Sequence, residues 1–211
     1  MLATVSSATL VGVDGQPVAV EVHVSNGLPG FRIVGLPDAS CREARDRVRA
    51  AMLSSGFAWP QRRVTVNLAP SGLRKAGSGL DLAMALGLLA ADGQVPAEPL
   101  EDKSFLGELG LDGSLRRVAG ILPLVAALRT AAVVVAPPCF YEAALVRRAP
   151  VRTAPNLVAL VKALRGELPW PDPPSRGTPA EAPPAPDLCE VRGQAFGRRA
   201  LEVAAAGVTT C

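Results

Sequence analysis

A chain of 211 residues that is 49% hydrophobic but only 4% aromatic has the aliphatic content for one sizeable core, and its net charge of +3 argues neither for nor against a nucleic-acid partner. A single histidine and four cysteines without a C-x-x-C pair (Cys41, Cys139, Cys189, Cys211) exclude a well-furnished transition-metal site and suit free thiols better than a disulfide frame. No apolar run reaches the ~18 residues of a membrane span and no charged segment precedes an apolar core at the N-terminus, so a cytoplasmic location without membrane contact is expected.

Leu2 to Val11 and Pro17 to Ser25 are β-branched apolar runs flanking Asp14-Gly15, a pattern that predicts a hairpin turning at that dipeptide. His23 falls in the alternation and reads as a surface strand residue rather than a ligand. Phe31 to Val34 is a third short strand. Gly35-Leu36-Pro37 then leads to Asp38, an N-cap for a helix that runs to about Ser54 and stops at Gly56. Ala44, Val48, Ala51, Met52 and Ser55 give this helix a buried face. Arg42, Arg45 and Arg49 line another, and Arg42–Asp46 and Glu43–Arg47 are spaced to pair along it. Such a face is either a solvated, salt-laced surface or a surface for a partner or DNA.

Val64 to Leu68 alternates as a half-buried strand that Pro70 ends. Ser71 to Gly79 holds three glycines, Arg74 and Lys75, and no large apolar residue but Leu73. It reads as a mobile loop. Leu80 to Ala90 is apolar on every side, the mark of a buried helix. A strand therefore feeds a Gly-rich cationic loop that feeds a helix N-terminus, where free N–H groups and the helix dipole favour anions. Arg74 and Lys75 are accordingly candidate phosphate contacts. The alternative is that the glycines only turn the chain.

Ser104 to Leu109 and Ser114 to Val118 flank Leu111-Asp112-Gly113 and predict a second hairpin. Gly120 to Thr130 (with Pro123 in the first turn), Pro138 to Arg148 and a stretch capped by Asn156 and closed at Gly166 read as helices. Ala131 to Ala136 and Val151 to Thr153 read as strands between them, an alternation that predicts parallel pairing through crossover helices. Eight of the nineteen residues from Leu168 to Pro186 are prolines, a composition suited to an extended tether. The expected organisation is an α/β (α+β) domain over residues 1–167, a Pro-rich linker over 168–186, and a small helical segment over 187–211.

Several segments taken together resemble the N-terminal part of the Mg-chelatase-like AAA+ ATPases of the ComM/YifB family. They are Gly35-Leu36-Pro37-Asp38 with Arg45-Asp46-Arg47-Val48-Arg49-Ala50-Ala51, and Val66-Asn67-Leu68-Ala69-Pro70 with Lys75-Ala76-Gly77 and Asp81-Leu82. Gly107-Glu108-Leu109, Leu111-Asp112-Gly113 and Gly120-Ile121-Leu122-Pro123 follow, and then Asp187-Leu188 with Val191-Arg192-Gly193-Gln194. The resemblance spans nearly the whole chain. It implies a fold shared with the Lon protease domain and a ribosomal-protein domain. It also implies that Asp187 onward opens an AAA+ module truncated before its Walker loop, with Val191, Gly193 and Gln194 beside an ATP adenine. ATP and Mg2+ would serve the full-length parent, a hexameric helicase or branch-migration motor in uptake recombination. This chain holds no G-x-x-x-x-G-K-[ST], so it is expected to lack ATPase activity by itself and to need no cofactor.

The Lon likeness also bears on catalysis. Lys75-Ala76-Gly77-Ser78-Gly79 lies where Lon-type proteases carry K-x-G-P-S, which places Gly79 at the nucleophile and Ser78 one residue early. Leu122 occupies the place of the Lon lysine. A serine nucleophile needs a base within reach, so a Lon-type serine peptidase is a remote alternative and no catalytic residue is assigned. Two readings stay open: a non-catalytic assembly or DNA-facing domain of a ring ATPase, favoured by Arg42, Arg45, Arg49, Arg74 and Lys75, and a protein-interaction adaptor without DNA contact.

Overall fold

The computed structural model describes residues 1–75, 77–175 and 187–207. Its β-strands are β1 (Leu2–Val11), β2 (Asp14–Ser25), β3 (Gly30–Val34), β4 (Arg63–Ala69), β5 (Lys103–Leu106), β6 (Glu108–Leu109), β7 (Leu115–Arg116), β8 (Ala132–Val135) and β9 (Val151–Thr153). Its helices are α1 (Ala39–Ser54), α2 (Asp81–Ala91), α3 (Glu98–Glu101), α4 (Ile121–Ala127), α5 (Phe140–Ala144), α6 (Leu157–Leu164) and α7 (Ala195–Ala205).

Seven strands make one sheet in the order β3-β4-β2-β1-β5-β8-β9, while β6 and β7 form a separate small ribbon. The period-2 alternation of β2 puts Val18, Val20, Val22 and Val24 on the buried face and leaves Glu21 and His23 on the other. β2 pairs antiparallel with β1 and β4, whereas β5, β8 and β9 run parallel to their neighbours with α4 and α5 in the crossovers. The result is a mixed α/β fold whose second half follows the strand–helix alternation of the sequence.

The first hairpin turns two residues earlier than expected. Val11 pairs with Asp14, so Gly12 and Val13 make the turn and Asp14-Gly15 opens β2. Gly12 carries φ +63° at the first central position, where a two-residue hairpin tolerates the left-handed region best in glycine. The second hairpin is also smaller than read. β5 joins the main sheet beside β1 and β8, and only Glu108-Leu109 pairs with Leu115-Arg116. The helix read over Pro138 to Arg148 shrinks to a 3-10 turn at Pro137–Cys139 plus α5, and the one over Gly120 to Thr130 shrinks to α4.

α2 lies at the centre of the core. Leu82, Met84, Leu86, Leu88 and Leu89 have no solvent exposure. Each such side chain contributes about 1.5–3 kcal/mol of burial. Gly87 lets this helix close on the sheet, because a Cβ there would stand 2.6 Å from Val22 Cγ2. β8 divides the core: Val134 joins α1, α2 and α6 on one side, and Val133 and Val135 join α4 and α5 on the other.

The described chain splits into two compact units, Met1–Pro174 and a C-terminal one beginning at Ser175. The start of the expected linker therefore belongs to the first unit: Trp170 packs on the core beneath Arg152, and Tyr141 donates to the Pro174 carbonyl at 2.5 Å. The prolines from 176 to 186, and Cys211, lie outside the described residues. The second unit contains a 3-10 turn at Leu188–Glu190 and α7. No helix among the described residues is long and apolar enough to cross a membrane.

Candidate nucleic-acid interface

Asp38 starts α1 as the sequence predicts, its Oδ1 accepting from Cys41 N at 2.8 Å. From there the 3.6-residue period sorts the side chains. Cys41, Ala44, Val48, Ala51 and Met52 go to the core, and Arg42, Arg45 and Arg49 are exposed on one face. No hydrogen bond or ion pair among the described residues engages the side chains of these three arginines, and the Arg42–Asp46 pair is not made. Glu43 does reach Arg47, at 3.7 Å.

Arg47 projects away from that face and toward α2. Its Nε and Nη2 donate to the Asp81 carboxylate at 2.8 and 3.0 Å, and Nη2 also reaches the Ser40 carbonyl at 3.0 Å. The Asp81 side chain is 1% exposed. Burial pushes its acid up to about 6, a rise that Arg47 and the Leu109 N–H at 3.4 Å reduce but do not cancel. Neither Arg47 nor Asp81 stood out as a pair in the sequence, since the residues are distant in the chain and only the packing of α1 on α2 joins them.

Over its described part the Gly-rich loop is fastened by backbone hydrogen bonds. Leu36, at φ +57°, turns Pro37 alongside Lys75 in a parallel bridge. Lys75 N donates to Leu36 O at 3.1 Å, Asp38 N donates to Lys75 O at 2.9 Å, and Gly77 N donates to Asp38 Oδ2 at 3.2 Å. This fastening corrects the expectation for Lys75. Its side chain is fully buried, its Nζ donates to the Pro70 carbonyl, and desolvation holds its pKa below the usual lysine value. An ammonium sealed there cannot meet a phosphate at the surface. Arg74 remains exposed, close enough to Asp38 to help lower that acid's pKa. The surface cations on and beside α1 are thus Arg74, Arg42, Arg45 and Arg49. The Cys41 thiol beneath them is pushed up to about 12, first by burial and then by Asp38, and is chemically quiet.

On the other side of the loop lies a cavity of about 390 Å³. Ser78 donates to the Glu108 carboxylate at its rim, and Leu10, Val118 and Leu124 form its apolar wall. Arg117 lines it too while pairing with Glu142 at 3.2 Å. No lysine lines this cavity: Leu122 is 39% exposed and lies outside it, and Lys75 points to Pro70. Ser78 thus has a carboxylate neighbour but no amine to act as base.

In the second unit Val191, Gly193 and Gln194 precede α7. The Val191 carbonyl accepts from Arg198 Nη1 at 3.4 Å, Gly193 has φ +80°, and Gln194 holds the N-cap position without a side-chain capping bond. Among the described residues no group of acidic, histidine and cysteine side chains is placed to hold a metal.

Residues 20–138 match the family described as subunit ChlI of Mg-chelatase. The chain is 44% identical over 206 residues to an uncharacterized protein of Mycobacterium tuberculosis, covering 95% of this chain and 40% of the relative. It is 39% identical over 216 residues to the competence protein ComM of Haemophilus influenzae (98% and 42%), and 39% identical over 211 residues to the uncharacterized protein YifB of Escherichia coli (98% and 41%). The chain therefore spans about two fifths of the length of the curated relatives it matches.

Proposed function

The chain belongs to the ComM/YifB family of Mg-chelatase-like proteins, and from that membership we propose that residues 1–174 form a non-catalytic, DNA-facing domain. The observation that carries this reading is the face of α1. Three arginines stand exposed and unpaired at i, i+3 and i+7, while the fourth, Arg47, is committed to Asp81 inside. Unpaired arginines in a row contact phosphates by charge-assisted, often bidentate hydrogen bonds, and carry no base information by doing so. Arg74 extends the patch. The competence role in the name of one relative fits a DNA partner.

In a full-length parent the domain would be repeated around a hexameric AAA+ ring, so modest contacts per copy add by avidity. Val191, Gly193 and Gln194 would there flank an ATP adenine. The residues of this chain do not furnish the phosphate and Mg2+ part of such a site, because none of them forms a G-x-x-x-x-G-K-[ST] loop, and no hydrolytic step is derived through it. The competing adaptor reading rests on the 390 Å³ cavity, which is apolar on one wall and polar at its rim.

Salt-dependent binding separates the two. Replacing Arg42, Arg45 and Arg49 together by alanine should lower the slope of log affinity against log salt by about 2.7 on duplex DNA, one released counterion set per arginine. Binding should weaken alike on unrelated sequences. An unchanged slope would remove DNA from this face and favour the adaptor.

A further inference from the structure

At the C-terminal half of the same arginine row the surface dips into a cavity of about 150 Å³. Arg45, Arg49, Phe31, Trp59 and Gln61 are among the residues that line it. The two rings are in contact, with centroids 5.5 Å apart and planes tilted by 34°. Both are half-buried: each packs on the main core and also borders the cavity. The loop that brings Trp59 here is held by a reciprocal pair of hydrogen bonds, Ala58 N to Gln94 Oε1 and Gln94 Nε2 to the Ala58 carbonyl, both 2.9 Å. Gln61 Nε2 donates to the Trp59 carbonyl at 3.3 Å and leaves its amide oxygen unengaged among the described residues.

We propose that this cavity takes one unstacked base of single-stranded DNA, so that the domain prefers single strands to duplex. The inference rests on the DNA-facing reading of α1 and adds a base site to it. Three features of the cavity fit that ligand. Its volume of about 150 Å³ is room for one planar ring. Phe31 and Trp59 are both part of its lining, and aromatic side chains are what single-strand sites use for sequence-tolerant stacking, with arginines beside them here. Arg45 and Arg49 are one helical turn apart, about 6 Å along the axis, and so offer one cation to each of two successive phosphates of the strand whose base is seated. A base within a duplex is stacked on both faces and cannot enter without being flipped out. Gln61 supplies an amide edge that any base can meet.

The test uses the 211-residue chain with Trp170→Phe, which leaves Trp59 as the lone tryptophan. Three probes are compared at low salt: a short oligothymidylate, an abasic oligomer of the same length, and a duplex. Expected are quenching of Trp59 emission by the oligothymidylate, no quenching by the abasic oligomer or the duplex, and tighter binding of the oligothymidylate. Trp59→Leu should weaken oligothymidylate binding by about 5- to 150-fold and leave the abasic oligomer unaffected. The quenching is read on intact Trp59, so it stands even if that variant folds poorly. Equal affinity for oligothymidylate and abasic oligomer without quenching overturns the base site and leaves the phosphate-contacting face intact. Quenching by duplex to the same extent overturns the single-strand preference. Binding of none of the three overturns the base site and the DNA reading together.

Discussion

Replacing Arg47 by alanine isolates the interaction that joins α1 to α2. Asp81 keeps only 1% side-chain exposure and Arg47 only 20%, and the guanidinium makes two bonds of 2.8 and 3.0 Å to the carboxylate. Removing one partner of a buried pair leaves an uncompensated charge and costs about 3–5 kcal/mol. Because Arg47 is partly solvated, about 3 kcal/mol at pH 8 is the expected loss by urea unfolding. An exposed pair would cost at most about 1 kcal/mol. The pH dependence is the sharper test. The folded acid is raised from 3.8 to about 6, so between those values the folded state binds more protons than the unfolded one. The contribution of Asp81 is therefore most favourable below 3.8 and declines as pH rises through about 6, by ~3 kcal/mol in the intact protein. Without Arg47 the folded acid rises further, so the variant's deficit should be small at pH 5 and largest at pH 8. A double variant, Arg47→Met with Asp81→Leu, should recover most of the loss. A deficit that is the same at pH 5 and pH 8, or below 1 kcal/mol at both, would refute the burial argument.

Lys75→Met should change stability by no more than about 1 kcal/mol at neutral pH, because an apolar chain of similar length replaces a buried cation with one carbonyl partner. Its folded pKa lies below 10.5, so native protein should gain on the variant as pH rises toward 10.5, and the salt slope of DNA binding should not move; a drop of about 1 in that slope would put the ammonium at the surface after all. Asp38→Ala removes the cap of α1 and the Gly77 contact and should cost about 1–2 kcal/mol in thermal or urea unfolding at pH 7. Burial opposes its charge, but the Cys41 and Gly77 hydrogen bonds together outweigh burial and hold its pKa low. The stabilisation is therefore full above 3.8 and lost as pH falls through the folded value, so the two proteins should converge at low pH.

Much of this molecule is readable from residue spacing alone. The valines of β2, the apolar girdle of α2, the Asp38 and Asn156 caps and the sorting of Arg42, Arg45 and Arg49 onto one face all follow from periods of 2 and 3.6 and from cap chemistry. These are local rules, satisfied within a dozen residues. The order of the segments likewise marks the chain as a member of the ComM/YifB family. Where spacing misled, a longer-range contact decided. The turn moved from Asp14-Gly15 to Gly12-Val13 because the register of β1 on β2 outranks a favourable dipeptide. Ser104 to Leu109 split between two sheets because β1 and β8 claimed β5. Lys75 shows the difference most plainly. Between glycines it looks like a free cation, yet the bridge to Pro37 and the carbonyl of Pro70 take it into the interior. The Asp81–Arg47 pair and the Phe31–Trp59 cavity join residues separated by 34 and 28 positions, and no local pattern encodes such meetings. Periodicity says which way a side chain faces; only the packing of one element on another says what it finds there.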